Sequence, residues 1–316
     1  MKLNPHFTNK KLLLQRLTRT TLLVLAVLCA LLPLAACHKA AEASAAITTE
    51  APYEGYKVTQ YNDLTGSQAS FYTITTYNDK LIIIDGGWVG NEAQVRQVIA
   101  QHGNVVDAWI LSHPHQDHIG AFNRIYADLQ GITIGQIYDS PISYDRVKAN
   151  GDKWDDIAIF DTYHNLTANA DNITHLYRGD TFDLFGLTVE VFNAYDHYVI
   201  DHSQDLSNDG SLMLKVSSAN KSMLFCSDIK EPMEETITEL YKDQLQCDYI
   251  QAAHHGNWSF SEDFYALVKP SVVFFDSPAW IMQDAQYPAY DLKQYVEGIG
   301  AKVYDHTTTP NSVILD

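Results

Sequence analysis

Short, mostly apolar runs separated by polar and turn residues follow one another from residue 56 onward, and such runs are typical of β-strands. Strands are predicted at residues 56–61, 70–77, 80–84, 105–110, 132–138, 181–185, 187–192, 211–216, 221–225 and 248–252. Helical spacing of apolar residues predicts helices at residues 91–102, 119–129, 155–165 and 232–241. A capping-box pattern from Ser259 to Glu262 predicts the start of one more helix. The pattern indicates one mixed domain without internal repeats, in which residues 139–180 are the least regular part.

The first 37 residues have the three parts of a bacterial lipoprotein signal peptide. Five basic and no acidic residues precede an apolar run at residues 22–32, and Leu34-Ala35-Ala36-Cys37 resembles a lipobox. The run is shorter than the roughly 20 residues that a membrane-spanning helix needs. We therefore predict a signal peptide at residues 1–36, a lipidated Cys37 and tether at 37–51, and a folded domain at 52–316. An ordinary secretory signal or an uncleaved anchor is the alternative.

The lipid would hold the domain on the extracytoplasmic face of the cell membrane. The net charge of the chain indicates which classes of partner it could bind. The chain has 21 basic and 39 acidic residues and a formal charge of −18. Removal of the signal peptide takes away five basic and no acidic residues, so the net charge of the mature chain is more negative. No basic track is visible, and binding to nucleic acid is therefore not predicted. The expected partner is a small or cell-wall-linked substrate, and no protein partner is predicted.

Four cysteines are present, of which Cys29 lies in the predicted signal and Cys37 is the predicted lipid site. Cys226 and Cys247 remain, both within or beside apolar strand patterns. A buried free cysteine is common in such a position, although a disulfide is possible outside the cytoplasm. We predict free thiols.

The densest chemical signal is the segment His113-Pro114-His115-Gln116-Asp117-His118, which closely follows the predicted strand at residues 105–110. Imidazole and carboxylate are ligands that suit zinc, manganese or iron. A loop that follows a strand can aim alternate side chains at one ion and the next pair at a second. The spacing therefore favours a site for two divalent ions over a surface cluster of histidines on a turn.

Three further strand ends carry residues of the same kind. Asp85 ends a run of three isoleucines, Asp228 follows the predicted hairpin at residues 211–225, and His254 and His255 follow the strand at 248–252. An unpaired carboxylate at the end of a buried strand is costly, which favours a place for Asp228 in the metal site over a helix cap. The paired histidines offer one more ligand and one more proton donor. His255 is the predicted ligand and His254 is predicted to face the substrate, with the opposite assignment as the alternative.

Together these motifs resemble the signature of the metallo-β-lactamase superfamily. They are most similar to those of the hydrolase domain attached to the DNA-uptake protein ComEC and to those of bacterial phosphorylcholine esterases, over about residues 56–277. The resemblance implies an α/β fold of the αββα type, in which two mixed β-sheets are flanked by helices. The implied ligands of the two ions, which share Asp228, are His113 and His115 at the first ion and Asp117, His118 and His255 at the second.

The resemblance also implies a function. A hydroxide held by two divalent ions, with zinc first and manganese or iron as alternatives, would attack a phosphodiester. Asp85 would orient a ligand imidazole. Asp117 and His254 would take part in catalysis, and His254 would steady developing charge or protonate the leaving group.

Two other functions stay open at this point. The first is hydrolysis of carboxylic esters, lactones or β-lactams, and the second is a non-catalytic, metal-binding surface lipoprotein. Members of the superfamily with ester or lactam substrates usually show a third-motif histidine. His202 is a candidate for that ligand, and a loop histidine is the equal alternative. A ligand role for His202 would therefore favour the ester and lactam hypothesis.

Overall fold

Two seven-stranded β-sheets form the centre of the protein. The structure is a computed structural model that describes residues 55–203, 205–305 and 309–316. The predicted signal peptide, Cys37 and the tether lie outside the described residues. Among the helices of the described part, none is long and apolar enough to cross a membrane.

The first sheet has the strand order β14-β1-β2-β3-β4-β5-β6. Strands β3 to β6 run parallel to one another, whereas β14, β1, β2 and β3 pair antiparallel. The strands of this sheet are β1 (Tyr56–Gln60), β2 (Phe71–Thr76), β3 (Leu81–Asp85), β4 (Val105–Leu111), β5 (Thr133–Asp139), β6 (Ile173–His175) and β14 (Asn311–Leu315).

The second sheet has the order β13-β12-β11-β10-β9-β8-β7 and repeats this arrangement. Strands β10 to β13 are parallel, and β7 to β10 pair antiparallel. The strands of this sheet are β7 (Thr181–Leu184), β8 (Leu187–Asn193), β9 (Met213–Ser217), β10 (Ser222–Phe225), β11 (Tyr249–Gln251), β12 (Val272–Phe275) and β13 (Lys302–Asp305).

Helices connect the strands and cover the sheets. The α-helices of the described residues are α1 (Glu92–Gln101), α2 (Gln116–Ala127), α3 (Tyr144–Asn150), α4 (Ile157–Thr167), α5 (His197–His202), α6 (Leu206–Asp209), α7 (Glu234–Tyr241), α8 (Glu262–Val268), α9 (Ala279–Met282) and α10 (Pro288–Gly298). Short 3-10 turns lie at Val89–Asn91, Glu231–Met233, Lys242–Leu245 and Ala253–Gly256.

Three apolar clusters show that the layers are stacked as helix, sheet, sheet and helix. One cluster joins residues of both sheets, such as Tyr72 and Phe225, whose rings meet edge to face at 5.4 Å. A second packs the first sheet against α1, α2 and α4, and a third packs the second sheet against α7, α8 and α10. This layering confirms the predicted αββα fold.

Most predicted elements are present, and two details of the predictions are wrong. Helix α2 begins at Gln116 rather than at residue 119, so Asp117 lies in its first turn. The capping box at residues 259–262 does not form. The hydroxyl of Ser259 donates to the carbonyl of Ile229, and Ser261 precedes the helix while its own hydroxyl donates to Glu234.

A buried carboxylate, Asp276, joins the ends of strands from both sheets. It accepts hydrogen bonds from Tyr72 (2.5 Å), Gln60 (2.7 Å) and Gln251 (2.8 Å). The other side-chain atom of Gln251, Oε1, accepts from the backbone N–H of Ser227 at 2.8 Å. This network fixes the backbone just before Asp228.

Replacement of Tyr72 by phenylalanine should destabilise the protein, because the Asp276 carboxylate would lose a donor while it stays buried. Burial and Asp276 raise the pKa of Tyr72 well above its usual value, so the hydroxyl remains a donor at every pH of interest. We expect the free energy of unfolding in urea to fall by about 1–3 kcal/mol. Tyr61→Phe is the control, since that hydroxyl only accepts a 3.4 Å hydrogen bond from Thr73. Equal losses in both variants would contradict this role of Asp276.

A second buried carboxylate, Asp209, ends helix α6. It accepts hydrogen bonds from the hydroxyl of Ser203 at 2.5 Å and from the backbone N–H of Lys230 at 2.8 Å. Burial nevertheless raises the pKa of Asp209 to about 6. The folded state therefore holds the proton of Asp209 more tightly than the unfolded chain does, and ionisation of this group costs stability.

This cost predicts a pH dependence that Asp209→Asn should remove. A carboxyl whose pKa is raised on folding destabilises increasingly as the pH rises from the unfolded pKa to the folded one, and the full penalty, about 3 kcal/mol, is present above both. The stability margin of the asparagine variant over the natural protein should therefore grow by about 1.4 kcal/mol between pH 5 and pH 8 in denaturant titrations of the metal-free proteins. The exposed Asp201→Asn serves as control. A margin independent of pH would show that Asp209 ionises normally.

Candidate metal centre

The predicted chelating residues lie where the parallel strands of the two sheets end. Asp85 is the last residue of β3, the histidine segment follows β4, Asp228 follows β10 and the histidine pair follows β11. The carboxyl ends of parallel strands meet at one edge of each sheet, and the stacked sheets bring both edges together. Residues far apart in the chain thereby become neighbours.

Two groups of side chains that could coordinate a metal ion, called donor groups below, lie at this edge and share Asp228. In each group the donor atoms all lie within 4.8 Å of one another. The members are His113, His115 and Asp228 in the first group, and Asp117, His118, Asp228 and His255 in the second. All six side chains that the sequence predicted as ligands are therefore brought together.

Several of the nitrogen and oxygen atoms that could coordinate a metal face each other without forming hydrogen bonds. Nε2 of His118 lies 3.2 Å from Oδ1 of Asp228, and Nε2 of His255 lies 3.1 Å from Oδ2 of Asp228. Among the described residues, Nε2 of His113, His118 and His255 and Oδ1 of Asp228 are buried without a hydrogen-bond partner. Buried polar atoms without partners are rare because they are costly. Lone pairs that converge on one space fit divalent cations as the missing partners.

The charge balance of the cluster points the same way. Burial lowers the pKa of His255, but Asp228 and Asp117 outweigh burial and raise this pKa to about 10. Burial raises the pKa of Asp228, but His255 and His118 hold it well below its usual value. Burial lowers the pKa of His113 well below its usual value, and the neighbouring imidazoles lower it further. The buried carboxylates thus require positive charge beside them, which either protons on imidazole or metal ions can supply.

Asp85 orients His118. Its Oδ2 lies 2.8 Å from Nδ1 of His118, and its Oδ1 accepts from the backbone N–H of Ser112 at 2.8 Å. A proton held on Nδ1 leaves Nε2 of His118 as a free lone pair that faces Asp228. Gly120 allows helix α2 to pack closely against the turn that follows Asp85, because a Cβ at this position would lie 2.5 Å from the backbone N of Val89.

A residue that the sequence did not predict, Asp155, orients His115. Its Oδ1 lies 2.6 Å from Nε2 of His115, and the backbone N–H of Asp152 donates to its Oδ2 at 2.7 Å. This contact occupies Nε2 and leaves Nδ1 of His115 as the available donor atom. Asp155 comes from the irregular segment at residues 139–180, between α3 and α4. That segment therefore contributes directly to the site.

Four residues of the site have left-handed backbones. The φ angles are 57° at Asp85, 49° at Ser227, 48° at His254 and 57° at His255. Such conformations cost about 1–3 kcal/mol each for residues other than glycine and tend to cluster at functional sites. At the histidine pair, consecutive left-handed residues direct the two imidazoles to different places.

His255 belongs to the second donor group, whereas His254 lies on the wall of a cleft. Nδ1 of His254 donates to the carbonyl of Asn257 at 2.5 Å. Burial lowers the pKa of His254. Asn257 also accepts from the backbone N–H of Ala289 through its side chain at 3.2 Å, so it closes the loop that carries both histidines.

The cleft has a volume of about 590 Å³, within the usual range for small-molecule sites. Metal-site residues form its floor, and three tryptophans form much of its wall. The residues that line it are Ser67, Gln68, Trp88, His115, Gln116, Asp117, Trp154, Asn208, Asp228, Lys230, His254, His255 and Trp258. Oδ1 of Asn208 is buried here and has no hydrogen-bond partner among the described residues.

His202 lies outside the metal centre. It ends helix α5, is exposed, and its Nδ1 contacts the carbonyl of Tyr198 at 2.9 Å. Neither donor group includes it. Cys226 and Cys247 are buried free thiols, as predicted, and burial raises the pKa of Cys247 to about 12.

Comparison with known proteins supports the fold. The family model of the metallo-beta-lactamase superfamily matches residues 64–130. The uncharacterized protein YcaI of Escherichia coli K12 is 26% identical over 185 residues, which are 57% of this chain. The match spans only 20% of YcaI.

Two solved structures share the architecture at low sequence identity. The metallo-beta-lactamase fold protein YhfI from Bacillus subtilis superposes with a TM-score of 0.52 and 11% identity, over 83% of this chain and 100% of YhfI. Unliganded yeast PDE1 gives a TM-score of 0.53 and 11% identity, over 83% of this chain and 100% of PDE1. The chain therefore has the metallo-β-lactamase fold, with candidate metal-binding residues at the place where its two sheets end.

Proposed function

We propose that this protein is a metal-dependent phosphodiesterase with two divalent ions, held outside the cytoplasm by a lipid on Cys37. The observation that carries the proposal is the pair of donor groups that share the buried Asp228. Zinc, manganese and iron all suit these ligands, with zinc first. The proposed substrate is small or linked to the cell wall, since the acidic chain disfavours long polyanions.

In this proposal each donor group holds one ion. His113 and His115 bind the first, Asp117, His118 and His255 bind the second, and Asp228 serves both. When bound, the ions would activate a water molecule and withdraw charge from the phosphoryl oxygens.

The residues around the ligands prepare them for this work. Asp85 and Asp155 hold protons on the outer nitrogens of His118 and His115, so that the opposite ring nitrogens are available as donor atoms. The carbonyl of Asn257 holds a proton on Nδ1 of His254. Nε2 of His254 is then the atom that can exchange a proton with a substrate oxygen or steady charge there.

The place of His202 supports phosphodiesters over esters, lactones and β-lactams. A third-motif histidine would have favoured the latter substrates, but His202 is exposed at the end of α5 and belongs to neither donor group. The motif resemblance to phosphorylcholine esterases and to the ComEC hydrolase domain supports the same choice.

Elemental analysis of the purified protein, combined with hydrolysis of bis-p-nitrophenyl phosphate, tests the proposal. We expect about two metal ions per chain and diester hydrolysis that Asp228→Ala lowers about a thousandfold, because the shared ligand contributes several kcal/mol to transition-state stabilisation. His202→Ala is the matched control and should keep both metal content and rate. Less than one metal ion per chain after reconstitution, with no Asp228-dependent turnover, would contradict the proposal. Cleavage of nitrocefin in preference to the diester would favour the lactam alternative.

Replacement of Asp155 by asparagine tests the positioning of His115. The amide cannot supply the charge that favours the proton on Nε2, so the affinity for metal should fall about 10- to 100-fold. Competition with a chromogenic chelator measures this affinity directly. Asp156→Asn is the neighbouring control, because Asp156 only caps α4. Unchanged affinity in the Asp155 variant would show that the contact is incidental.

A further inference from the structure

Lys230 lies on one wall of the cleft. It is the only lysine or arginine among the described residues that line the cleft. It follows Asp228 by two residues, so it stands beside the donor groups. In a chain with a formal charge of −18, this ammonium adds positive charge beside the donor groups and can help attract an anionic substrate.

The ammonium of Lys230 and the indole of Trp154 are fixed by the same carboxylate. Oδ2 of Asp205 accepts from Nζ of Lys230 at 3.1 Å, from Nε1 of Trp154 at 3.0 Å and from Nδ2 of Asn208 at 2.9 Å. The side chain of Asp205 is only 7% exposed. An ammonium has three N–H donors, and the contact with Asp205 uses one of them. The others remain available to oxygens of a ligand in the cleft.

Tryptophan side chains also present exposed aromatic surface in the cleft. Trp154 and Trp258 are 46% and 58% exposed, and Trp88 lies in the same wall. The indole N–H groups of Trp154 and Trp88 already donate to Asp205 and to the carbonyl of Gln68. These hydrogen bonds hold both rings in place, and the exposed surface of Trp154 and Trp258 can contact a flat ligand group.

The positive charge of Lys230 beside Trp154 limits which ligand groups can pack on this ring. Nζ of Lys230 lies 5.2 Å from the centre of the Trp154 ring, within the range of a cation–π contact. A quaternary ammonium group at this ring would meet a like charge. A neutral aromatic ring would not.

We propose that the cleft selects phosphodiesters whose retained ester group, the one that is not expelled, carries a neutral aromatic substituent; this substituent packs on Trp154 and Trp258 while Lys230 binds a non-bridging phosphoryl oxygen. This inference rests on the proposed phosphodiesterase function and names its substrate class. Lys230 and Trp154 are then the residues that determine specificity.

Three diesters with one leaving group and one phosphoryl charge test the proposal. They are methyl p-nitrophenyl phosphate, benzyl p-nitrophenyl phosphate and p-nitrophenyl phosphorylcholine. For the metal-loaded protein we expect kcat/KM for the benzyl ester to exceed that for the methyl ester about 10- to 100-fold, as ring stacking contributes in other sites. The choline ester should not exceed the methyl ester.

Variants assign the effect to residues. Trp154→Leu and Trp258→Leu should each lower the preference for the benzyl ester, whereas Trp280→Leu, an exposed tryptophan outside the cleft, should keep it. Lys230→Gln should raise KM for all three diesters about 10- to 100-fold, because a charge-assisted hydrogen bond is lost. Lys293→Gln is the control, because Lys293 lies outside the cleft and pairs with Glu297, and it should keep KM for all three diesters.

Binding without turnover gives an independent measurement. Benzyl methyl phosphate should quench the tryptophan fluorescence of the metal-free protein at lower concentrations than dimethyl phosphate does, and Trp154→Leu should abolish the difference. Equal rates for the three diesters, or a preference for the choline ester, would overturn the inference and leave the phosphodiesterase function standing. If the metal-loaded protein hydrolyses none of them, both proposals fail.

Discussion

The buried carboxylate of Asp228 between two imidazoles is the interaction on which the site depends. Asp228 is 2% exposed and lies within 3.2 Å of ring nitrogens of both His118 and His255. Among the described residues, the basic partners of its carboxylate are the imidazoles of His113, His118 and His255. Protons on these imidazoles or cations between them can balance the negative charge, and a cation can satisfy every converging lone pair at once.

Rigid support explains how such an arrangement survives folding. The backbone before Asp228 is tied through Gln251 to the Asp276 network, which reaches strands of both sheets. Left-handed backbones at Asp85 and His255 cost energy that the surrounding sheets must offset. The αββα core, with its three apolar clusters, supplies that stability and leaves the strand ends free to carry strained, charged residues.

The position of the candidate metal site was largely predictable because its residues follow apolar runs that end at one sheet edge. The histidine segment after β4 and Asp228 after β10 could be found from local pattern alone. Asp155 could not, because its contact with His115 spans 40 residues and depends on how an irregular segment packs. All four residues of strand β12 are buried, so its sequence has no periodicity that would distinguish a strand from a helix. The predicted capping box does not form, and the hydroxyl of Ser261 instead donates a hydrogen bond to Glu234 of another helix.

The residues that could bind metal and the residues that could select the substrate come from different parts of the fold. The strand ends hold the donor groups, whereas the cleft wall includes residues from connections: Trp154 from the segment between α3 and α4, and Lys230 from the turn after β10. Asp205, which accepts hydrogen bonds from both, comes from the loop before α6. Connections can change in length and sequence without loss of the sheets. Asp155 and Trp154 are neighbours in one such connection, so a change that moved the substrate wall would also move the support of His115. Selectivity and metal binding are therefore coupled at this one segment, although they rest on separate elements elsewhere.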